Sequence, residues 1–223
     1  MVSSEPVLLI VAADRRELVA LNGARRLGTV PVALAAAGVG RLHAARAVRE
    51  AAGKQALAGV VSAGWCGALD PALRIGDIVV ADRVLSLDPP DTFETRRPDG
   101  DPSAVGPVIT VDHFVGAAQE KRRLRGSGAI AVEMEAAGAA EEARRLGVPF
   151  YCIRAVSDAA ETSFRLDFNR ALRPADGRFS AARIVAMAGL DPARWRELLA
   201  LRRATITAAE ALGRFLNRCE FSC

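Results

Sequence analysis

Residues 129–158 read AIAVEMEAAGAAEEARRLGVPFYCIRAVSD, and this stretch decides the fold. Two segments, Ala129–Val132 and Pro149–Val156, predict buried strands because each is short and mainly apolar. Between them, Glu135–Leu146 has the spacing and alanine content of a helix, and Gly147 is the expected helix terminator. A strand, a helix and a second strand in this order are typical of an α/β sheet.

The same alternation extends toward the N-terminus. Further strands are predicted at Val7–Val11, Val30–Ala36, Leu57–Ser62, Ile75–Leu85 and Val108–Val111, and helices at Arg41–Ala52 and Ala117–Leu124, with another opening between Asp14 and Glu17. The segment Gly64–Gly67 predicts a turn, and the segment Asp88–Pro107, rich in Pro, Asp and Gly, predicts one exposed loop. The expected fold is therefore α/β, with helices on both faces of the sheet.

No linker or internal repeat divides the chain. Residues 1–223 are therefore predicted to form a single domain, with 173–223 as a C-terminal helical extension. No apolar run reaches the ~18 residues that a membrane span requires. The first residues, Met1–Ala12, lack the basic cluster of a secretory signal. We therefore expect a cytoplasmic protein.

The cysteines and histidines give no sign of a metal site or a disulfide framework. The cysteines are Cys66, Cys152, Cys219 and Cys223. They form no CxxC pair and no repeated spacing. His43 and His113 are the only histidines, so composition excludes a His-rich metal site. Neither a metal nor an organic cofactor is expected.

The net charge is +4, and the basic residues are nearly all arginine, with Lys54 and Lys121 as the only lysines. A base-composition bias of the genome explains such a skew without any function. A nucleic-acid-binding face is the alternative, but no stripe of the sequence interleaves arginines with aromatic residues. Nucleic acid is therefore not expected as a partner.

Acidic residues follow three of the predicted strands. Glu17 comes after the first strand, Glu133 and Glu135 after a middle one, and Asp158 after the last. Ligands of open α/β sheets bind at the carboxyl ends of strands. These carboxylates are therefore candidates for acid–base work or for binding sugar hydroxyls. The alternative is that each is a helix N-cap or first-turn acid, which the helix dipole favours.

Several blocks of the chain together resemble one known family. They are AVEMEA at 131–136, VSDAA at 156–160, GWCGAL at 64–69, IGDIVV at 75–80 and GVG at 38–40. In this order they resemble the nucleoside phosphorylase superfamily, especially its methylthioadenosine/S-adenosylhomocysteine nucleosidase branch, between residues 7 and about 172. The resemblance implies a single-domain, three-layer α/β/α fold with a central mixed sheet. It also implies cleavage of the N-glycosidic bond of a purine nucleoside, with adenine the favoured base.

The resemblance assigns roles to the acidic blocks. Glu133-Met134-Glu135 would hold the sugar, with Met134 packed on the ribose face and Glu135 accepting hydrogen bonds from the 2′- and 3′-hydroxyls. Asp158 would give a proton to purine N7, so that the base departs neutral. An aspartate is normally ionised at neutral pH, so the site would have to favour its protonated form. The alternative is that Met134 is an ordinary core methionine with no role in binding.

The remaining substrate contacts come from the same resemblance. Phe114 would stack on the base and the main chain of Val115 would meet the purine edge, although Phe114 is also a plausible core residue. Phe168 would form a wall near the 5′ substituent. Ser157, Gly64 and Trp65 are further substrate-binding candidates.

The family divides by the group that attacks the sugar carbon, and three positions favour water here. Glu17 falls where the nucleosidases have a water-activating glutamate. Ser62 stands where a bacterial phosphorylase would have an arginine, and Trp65 where a phosphate-binding serine is expected. Hydrolysis is therefore the favoured chemistry. A phosphorylase with phosphate as co-substrate stays open, because Arg15, Arg16 and Arg41 could face inward.

The chain also departs from this family. Asp14 stands where the nucleosidases have an apolar pocket residue, and Trp65 is bulky beside the reaction centre. The stretch from Glu17 to Gly38 is short and is predicted to omit a hairpin strand, and the loop Asp88–Pro107 is reduced. The 5′ substituent is therefore left open.

The C-terminal part, from Arg173-Pro174-Ala175-Asp176-Gly177 through predicted helices to Leu216, resembles the tail of hopanoid-associated phosphorylase-like proteins. Those proteins are thought to remove adenine from an adenosyl lipid. Leu198, Leu201, Ile206 and Leu212 are spaced roughly helically among arginines, which fits a basic amphipathic helix at a membrane surface. A closing helix packed on the sheet is the alternative, and we prefer it.

The expected partners are a small-molecule purine nucleoside and a second copy of the chain in a homodimer, with peripheral membrane association left open. A non-catalytic nucleoside-binding or lipid-headgroup-binding protein is the alternative from another class. The presence of Glu17, Glu135 and Asp158 together speaks against such a decayed site.

Overall fold

A computed structural model describes residues 5–222 of the chain. The predictions about a leader and about Cys223 fall partly on residues 1–4 and 223, which lie outside the described residues. The helices are α1 (Arg41–Ala52), α2 (Ala118–Arg125), α3 (Ala136–Leu146), α4 (Ala181–Ala188) and α5 (Pro192–Leu216), with 3-10 helices at Arg15–Leu21 and Phe168–Ala171. The strands are β1 (Val7–Ala12), β2 (Arg26–Leu27), β3 (Val30–Ala36), β4 (Leu57–Ala68), β5 (Ile78–Leu87), β6 (Pro90–Glu94), β7 (Ala104–Thr110), β8 (Ala131–Glu133), β9 (Phe150–Asp158), β10 (Leu172–Arg173) and β11 (Arg178–Phe179).

The main sheet is mixed. Its strands follow the order β2-β3-β1-β4-β8-β7-β5-β6, and β9 pairs with both β4 and β5. β1 is parallel to β3 and β4, whereas β9 is parallel to β4 and antiparallel to β5. The double pairing of β9 places its carboxyl end beside the end of β4, and this is where the acidic residues gather.

Helices cover both faces of this sheet. Side chains of a strand alternate between its two faces, so Leu9 packs with Val48 of α1 and Ala140 of α3, while Ile10 packs with Leu212 of α5 on the other side. The predicted three-layer α/β/α fold is confirmed.

Two sequence-based predictions within the sheet are wrong. The turn predicted at Gly64–Gly67 is absent, because β4 continues through it to Ala68. The predicted exposed loop Asp88–Pro107 contains β6, which pairs antiparallel with β5, and the start of β7. Burial of Phe93, which is 3% exposed, accounts for β6, since an apolar anchor outweighs the proline and glycine content around it.

Two further predictions need correction at the edges of the fold. The hairpin strand expected to be missing between Glu17 and Gly38 is present as β2, reduced to two residues paired with β3. The C-terminal extension does not become helical at Pro174, because β10 and β11 first form a short antiparallel hairpin. Helix begins only at Ala181, capped by the Ser180 side chain.

None of the helices between residues 5 and 222 combines the length and the hydropathy needed to cross a bilayer. Cys66, Cys152 and Cys219 are free thiols, and burial raises the pKa of each above its usual range.

Candidate active site

A cavity of about 300 Å³ lies where β1, β8 and β9 end. It brings together all the predicted site residues except Gly64. These are Glu17, Trp65, Phe114, Val115, Glu133, Met134, Glu135, Ser157, Asp158 and Phe168. Residues far apart in the sequence therefore meet, as expected for the carboxyl edge of an α/β sheet.

Gly64 lies behind this cavity rather than in its wall. A Cβ atom at Gly64 would come within 2.7 Å of Arg154 Nη1 and 2.9 Å of Glu17 Oε1. At Gly67 a Cβ would lie 3.0 Å from Asp158 Oδ2. Both glycines therefore allow charged side chains to approach the backbone of a continuous strand. This close approach, rather than a turn, explains the glycines of the GWCG block.

Arg154, which the sequence prediction missed, is the charged centre beneath the cavity. It projects from β9, is 1% exposed, and lies with Nη2 2.5 Å from Glu133 Oε2 and Nη1 3.7 Å from Glu135 Oε2. Its Nη2 also donates to Ser62 Oγ at 2.6 Å. Burial opposes the charge of this guanidinium, but the carboxylates of Glu133 and Glu135 outweigh it and raise its pKa. An arginine inside the apolar run of β9 was the signal that could have found it.

Glu133 organises the start of α3. Its Oε2 accepts from the backbone N–H groups of Glu135, at 2.8 Å, and Ala136, at 2.7 Å, and its Oε1 accepts from Thr110 Oγ1. Both carboxyl oxygens are therefore engaged by protein groups at the N-terminus of a helix. Glu133 thus lines the cavity and also fills the helix-start role that the sequence left open as an alternative.

Glu17 combines the two roles that the sequence offered for it. It is part of a capping box at the start of the 3-10 helix, where its Oε2 accepts from Asp14 N at 2.9 Å. Its Oε1 accepts from Trp65 N at 3.0 Å, which fixes the carboxyl group beside the cavity. Burial raises the pKa of Glu17 above its usual range. A carboxyl group so held can act as a base nearer neutral pH.

Glu135 is the N-cap residue of α3 and lines the same cavity. Its Oε1 accepts from Gly40 N at 3.0 Å, so the GVG block holds this side chain through a backbone amide. Burial, together with the neighbouring Glu133, raises the pKa of Glu135 to about 8. Below about pH 8 the Glu135 carboxyl group therefore holds a proton close to the position expected for the sugar hydroxyls.

Asp158, at the end of β9, is held on both oxygens. Ser157 Oγ donates to its Oδ1 at 2.8 Å, and Lys121 Nζ donates to its Oδ2. Lys121 was missed by the sequence prediction. No local signal distinguished this residue, because α2 carries Lys121 among three arginines.

Phe114 belongs to a cluster of phenylalanines at one side of the cavity. Its ring centroid lies 5.4 Å from that of Phe164 and 5.1 Å from that of Phe168, and Phe179 completes the group. The side-chain amide of Asn169 clamps its backbone, accepting from Phe114 N at 2.7 Å and donating to Phe114 O at 3.0 Å. The loop that carries Phe114 and Val115 is thus fixed by the segment that follows β9.

Comparison with known proteins agrees with this geometry. The family model described as "Phosphorylase superfamily" matches residues 23–101 and 94–186. This chain belongs to the phosphorylase superfamily. Its fold is also similar to that of S-adenosylhomocysteine nucleosidase from Streptococcus pyogenes, with a TM-score of 0.71, 20% identity and coverage of 97% of each chain.

This superfamily member is similar in sequence to a second nucleosidase and in fold to a futalosine hydrolase. The chain is 26% identical over 172 residues to a 5′-methylthioadenosine/S-adenosylhomocysteine nucleosidase of Staphylococcus aureus, covering 65% of this chain and 75% of that protein. Futalosine hydrolase of Helicobacter pylori has a similar fold, with a TM-score of 0.66, 17% identity and coverage of 95% of both chains.

In this member of the superfamily, two of the arginines proposed as alternative phosphate ligands, Arg15 and Arg41, lie outside the cavity, whereas Arg16 lines it. Arg41 donates to Asp88 O at 2.9 Å and forms a salt bridge with Glu141 at 2.8 Å. Arg16 lines the cavity but is paired with Asp14 at 2.7 Å, and Arg15 is exposed. The resemblance implied that the residue at position 14 lines the pocket. Asp14 does not line the cavity and is instead the N-cap of the 3-10 helix.

The outer wall of the cavity comes from the C-terminal segment of this superfamily member. The residues that contribute are mostly apolar: Phe179, Ile184, Leu198, Leu201, Arg202 and Thr205. The part of the chain beyond the principal sequence resemblance therefore shapes the side of the pocket away from the carboxylates.

Proposed function

We propose that this enzyme hydrolyses the N-glycosidic bond of a purine nucleoside, with adenosine or a 5′-substituted adenosine as substrate. The observation that carries the proposal is the meeting of Glu17, Glu135 and Asp158 around one cavity. Three carboxylates at separate points of a pocket match the three tasks of the reaction: activating water, binding the sugar and protonating the base.

Each carboxylate has a distinct task. Glu17 orients a water molecule, takes its proton and directs its oxygen to the anomeric carbon. The carboxyl group of Glu135 forms hydrogen bonds with the ribose hydroxyls, and its ionised form stabilises the oxocarbenium character of the transition state. Met134 packs on the sugar face. Asp158 protonates N7, so that the electrons of the broken C–N bond leave with a neutral base.

The base itself is recognised by the other side of the cavity. Phe114 stacks on the purine, and the main chain of Val115 meets its polar edge. Ser157 holds the Asp158 carboxyl group in position, and Phe168 closes the pocket beside the sugar. The clamp of Asn169 on Phe114 supports this assignment, because a stacking platform must be rigid to bind a flat ligand well.

Water is favoured over phosphate as the acceptor because the buried cation beneath the cavity is already engaged by carboxyl groups of the protein. Glu17, Glu133 and Glu135 surround Arg154, and this arginine is already engaged by two of them. A phosphate dianion placed there would therefore find, within residues 5–222, no uncommitted cation beneath the cavity to balance its charge.

Adenine release from adenosine, methylthioadenosine, S-adenosylhomocysteine and inosine, each with and without phosphate, tests the proposal. Turnover without phosphate supports hydrolysis. A strict phosphate requirement identifies a phosphorylase. Asp158→Asn should retain nucleoside binding while turnover of adenine nucleosides falls by ~10²–10⁴. Nucleoside binding without any turnover by the unchanged protein identifies a non-catalytic binding protein.

A second candidate is supported by the outer wall: cleavage of an adenosyl lipid. Ile184, Leu198 and Leu201 present apolar side chains to the cavity, and burying an apolar 5′ substituent against them is favourable. Adding a lipid-linked adenosine to the same panel decides between the candidates. A kcat/KM for this substrate that exceeds the value for adenosine supports the lipid, and one below it refutes this candidate.

We further propose a single domain over residues 1–223, acting as a cytoplasmic homodimer that needs neither a metal nor an organic cofactor and does not bind nucleic acid. The side chains already described supply the acid, the base and the charge that the reaction needs. Peripheral membrane association through α4 and α5 is supported by the exposure of Val185, Leu190 and Leu199. Flotation with lipid vesicles tests the association, and equilibrium sedimentation tests the dimer.

A further inference from the structure

Lys121 is a buried cation that the proposed reaction has not yet used. It projects inward from α2 and is 0% exposed, whereas Lys54, the other lysine of the chain, is on the surface. Burying an ammonium group costs several kcal/mol unless partners compensate for the lost water. The positions of its partners therefore indicate what the side chain does.

Those partners lie at the end of β9. Lys121 Nζ donates to Asp158 Oδ2 and, at 2.8 Å, to the carbonyl oxygen of Ala159. Asp158 lines the cavity, but Lys121 does not, so the lysine reaches the aspartate from behind. The absence of a side chain at Gly67 makes room for this pair, because a Cβ there would lie 3.0 Å from Asp158 Oδ2 and 3.5 Å from Lys121 Cε.

The pair raises a question of proton supply. The departing purine needs a proton through Asp158, and the group hydrogen-bonded to that carboxyl group from behind is an ammonium. Lysine can supply this proton and arginine cannot, because an ammonium group can release a proton whereas a guanidinium stays charged. Among the described residues the other buried cation is Arg154. A lysine rather than an arginine at position 121 therefore indicates a cation that can release its proton.

We propose that Lys121 is a positioning residue that acts through Asp158 and supplies the proton which the aspartate passes to the base. As the C–N bond breaks, its electron pair moves onto the purine, and a proton of Lys121 Nζ passes through the Asp158 carboxylate to N7, so that Asp158 neither gains nor loses a proton overall. The ammonium becomes a neutral amine while the attacking water gives its proton to Glu17. Proton exchange with solvent after product release restores the ammonium group of Lys121 and the carboxylate of Glu17. This inference rests on the proposed N-glycosidic cleavage.

The leaving group provides the sharpest test. Adenosine needs protonation of its base, whereas p-nitrophenyl riboside releases a phenolate that is stable as an anion. In Lys121→Met, kcat for adenosine should fall by ~10²–10⁴, with KM changed less than about threefold, and kcat for the nitrophenyl riboside should change less than about fivefold. Lys54→Met is the matched control and should leave both rates unchanged.

Two further variants separate a proton-supply role from a structural one. Lys121→Arg keeps the positive charge but cannot release a proton, so adenosine turnover should stay low even where the thermal midpoint matches that of the unchanged protein. In an Asp158→Asn background, Lys121→Met should cause no additional loss, because the lysine acts through that carboxyl group. If Lys121→Met does not fold, Lys121→Arg carries the test.

Equal losses on both substrates, full activity of Lys121→Arg, or an added loss in the Asp158→Asn background would overturn the inference while leaving the proposed function intact. Absence of any nucleoside turnover by the unchanged protein would refute the proposed function, and the inference with it.

Discussion

Arg154, fully buried and facing Glu133 and Glu135, is the residue on which the charge balance of the cavity depends. Glu17 adds a further negative group at its side, since both approach Gly64. Ionised acidic side chains repel one another when they are crowded into one pocket, and a central guanidinium offsets this repulsion. The acidic side chains that line the cavity thus depend on a residue that does not itself line it.

Replacing Arg154 by Met should lower the free energy of unfolding by about 3–5 kcal/mol, because the carboxylates would be left buried without their cation. Urea denaturation monitored by circular dichroism measures the change. Arg122→Met is the control, since Arg122 pairs with Glu161 at 3.0 Å on the surface, with both side chains more than half exposed. Its effect should be below about 1 kcal/mol. Equal effects of the two substitutions would contradict the proposed charge balance.

The raised pKa of Glu135 predicts a pH dependence of stability. This pKa is about 8 in the folded chain, against a reference value of 4.5. Between these values the folded state holds a proton that the unfolded state releases. The contribution to the free energy of unfolding is therefore complete below about pH 4.5 and is lost as the pH rises through about 8.

Glu135→Gln should consequently show a flatter dependence of the free energy of unfolding on pH between about 5 and 8 than the unchanged protein. Urea titrations across this range measure it. Glu94→Gln, at an exposed position of β6, serves as the control and should keep the original slope. If Glu135→Gln also keeps that slope, the proton is not held at Glu135.

At the scale of elements, the contact of α5 with the 3-10 helix shows how tightly the layers meet. Gly213 is buried on α5, and a Cβ there would lie only 2.1 Å from Ala20 Cβ. Glycine weakens a helix interior by about 1 kcal/mol relative to alanine. Close packing between the elements is therefore the reason for a glycine at this position.

Gly213→Ala should destabilise the protein by about 1–3 kcal/mol in spite of its better helix propensity, because the methyl group has no space. The thermal midpoint from calorimetry reports the loss. Combining it with Ala20→Gly restores the space, so the double variant should recover most of the stability. Failure of this rescue would show that the contact with Ala20 is not the cause.

Over the whole molecule, the C-terminal segment is both a structural layer and a pocket wall. Leu212 of α5 is 0% exposed and packs on the sheet, whereas Leu199, nearer the start of the same helix, is 52% exposed. The preferred prediction of a closing helix packed on the sheet is thus realised in the second half of α5. Leu198 and Leu201 in the first half meet the cavity instead.

Leu212→Ala should therefore cost about 2–5 kcal/mol of unfolding free energy, because it removes core volume. Leu199→Ala on the same helix should change it by less than about 0.5 kcal/mol. Denaturant unfolding of the two variants gives the comparison. A small effect at Leu212 would mean that α5 is an appendage and not a layer of the domain.

The sequence alone determined the fold class and the main functional blocks, for a physical reason. Hydrophobic periodicity and helix-terminating glycines are local properties, so β3 and α1 were predicted with the bounds that the structure has. Glu133, Glu135 and Asp158 were identified because they lie in short blocks that resemble a known family, and Glu17 because it follows the first predicted strand.

Only the tertiary structure decided which groups support those acids and which glycines make room for them. The partners of Asp158 and Glu133 are Lys121 and Arg154, at separations of 37 and 21 residues, and no local pattern records such contacts. In the sequence Gly64 resembles a turn residue. In the structure the absence of a side chain there leaves space for Arg154 and Glu17 to approach the strand. Long-range packing and charge pairing depend on the fold as a whole, and they bring the separate acidic residues together into one candidate site.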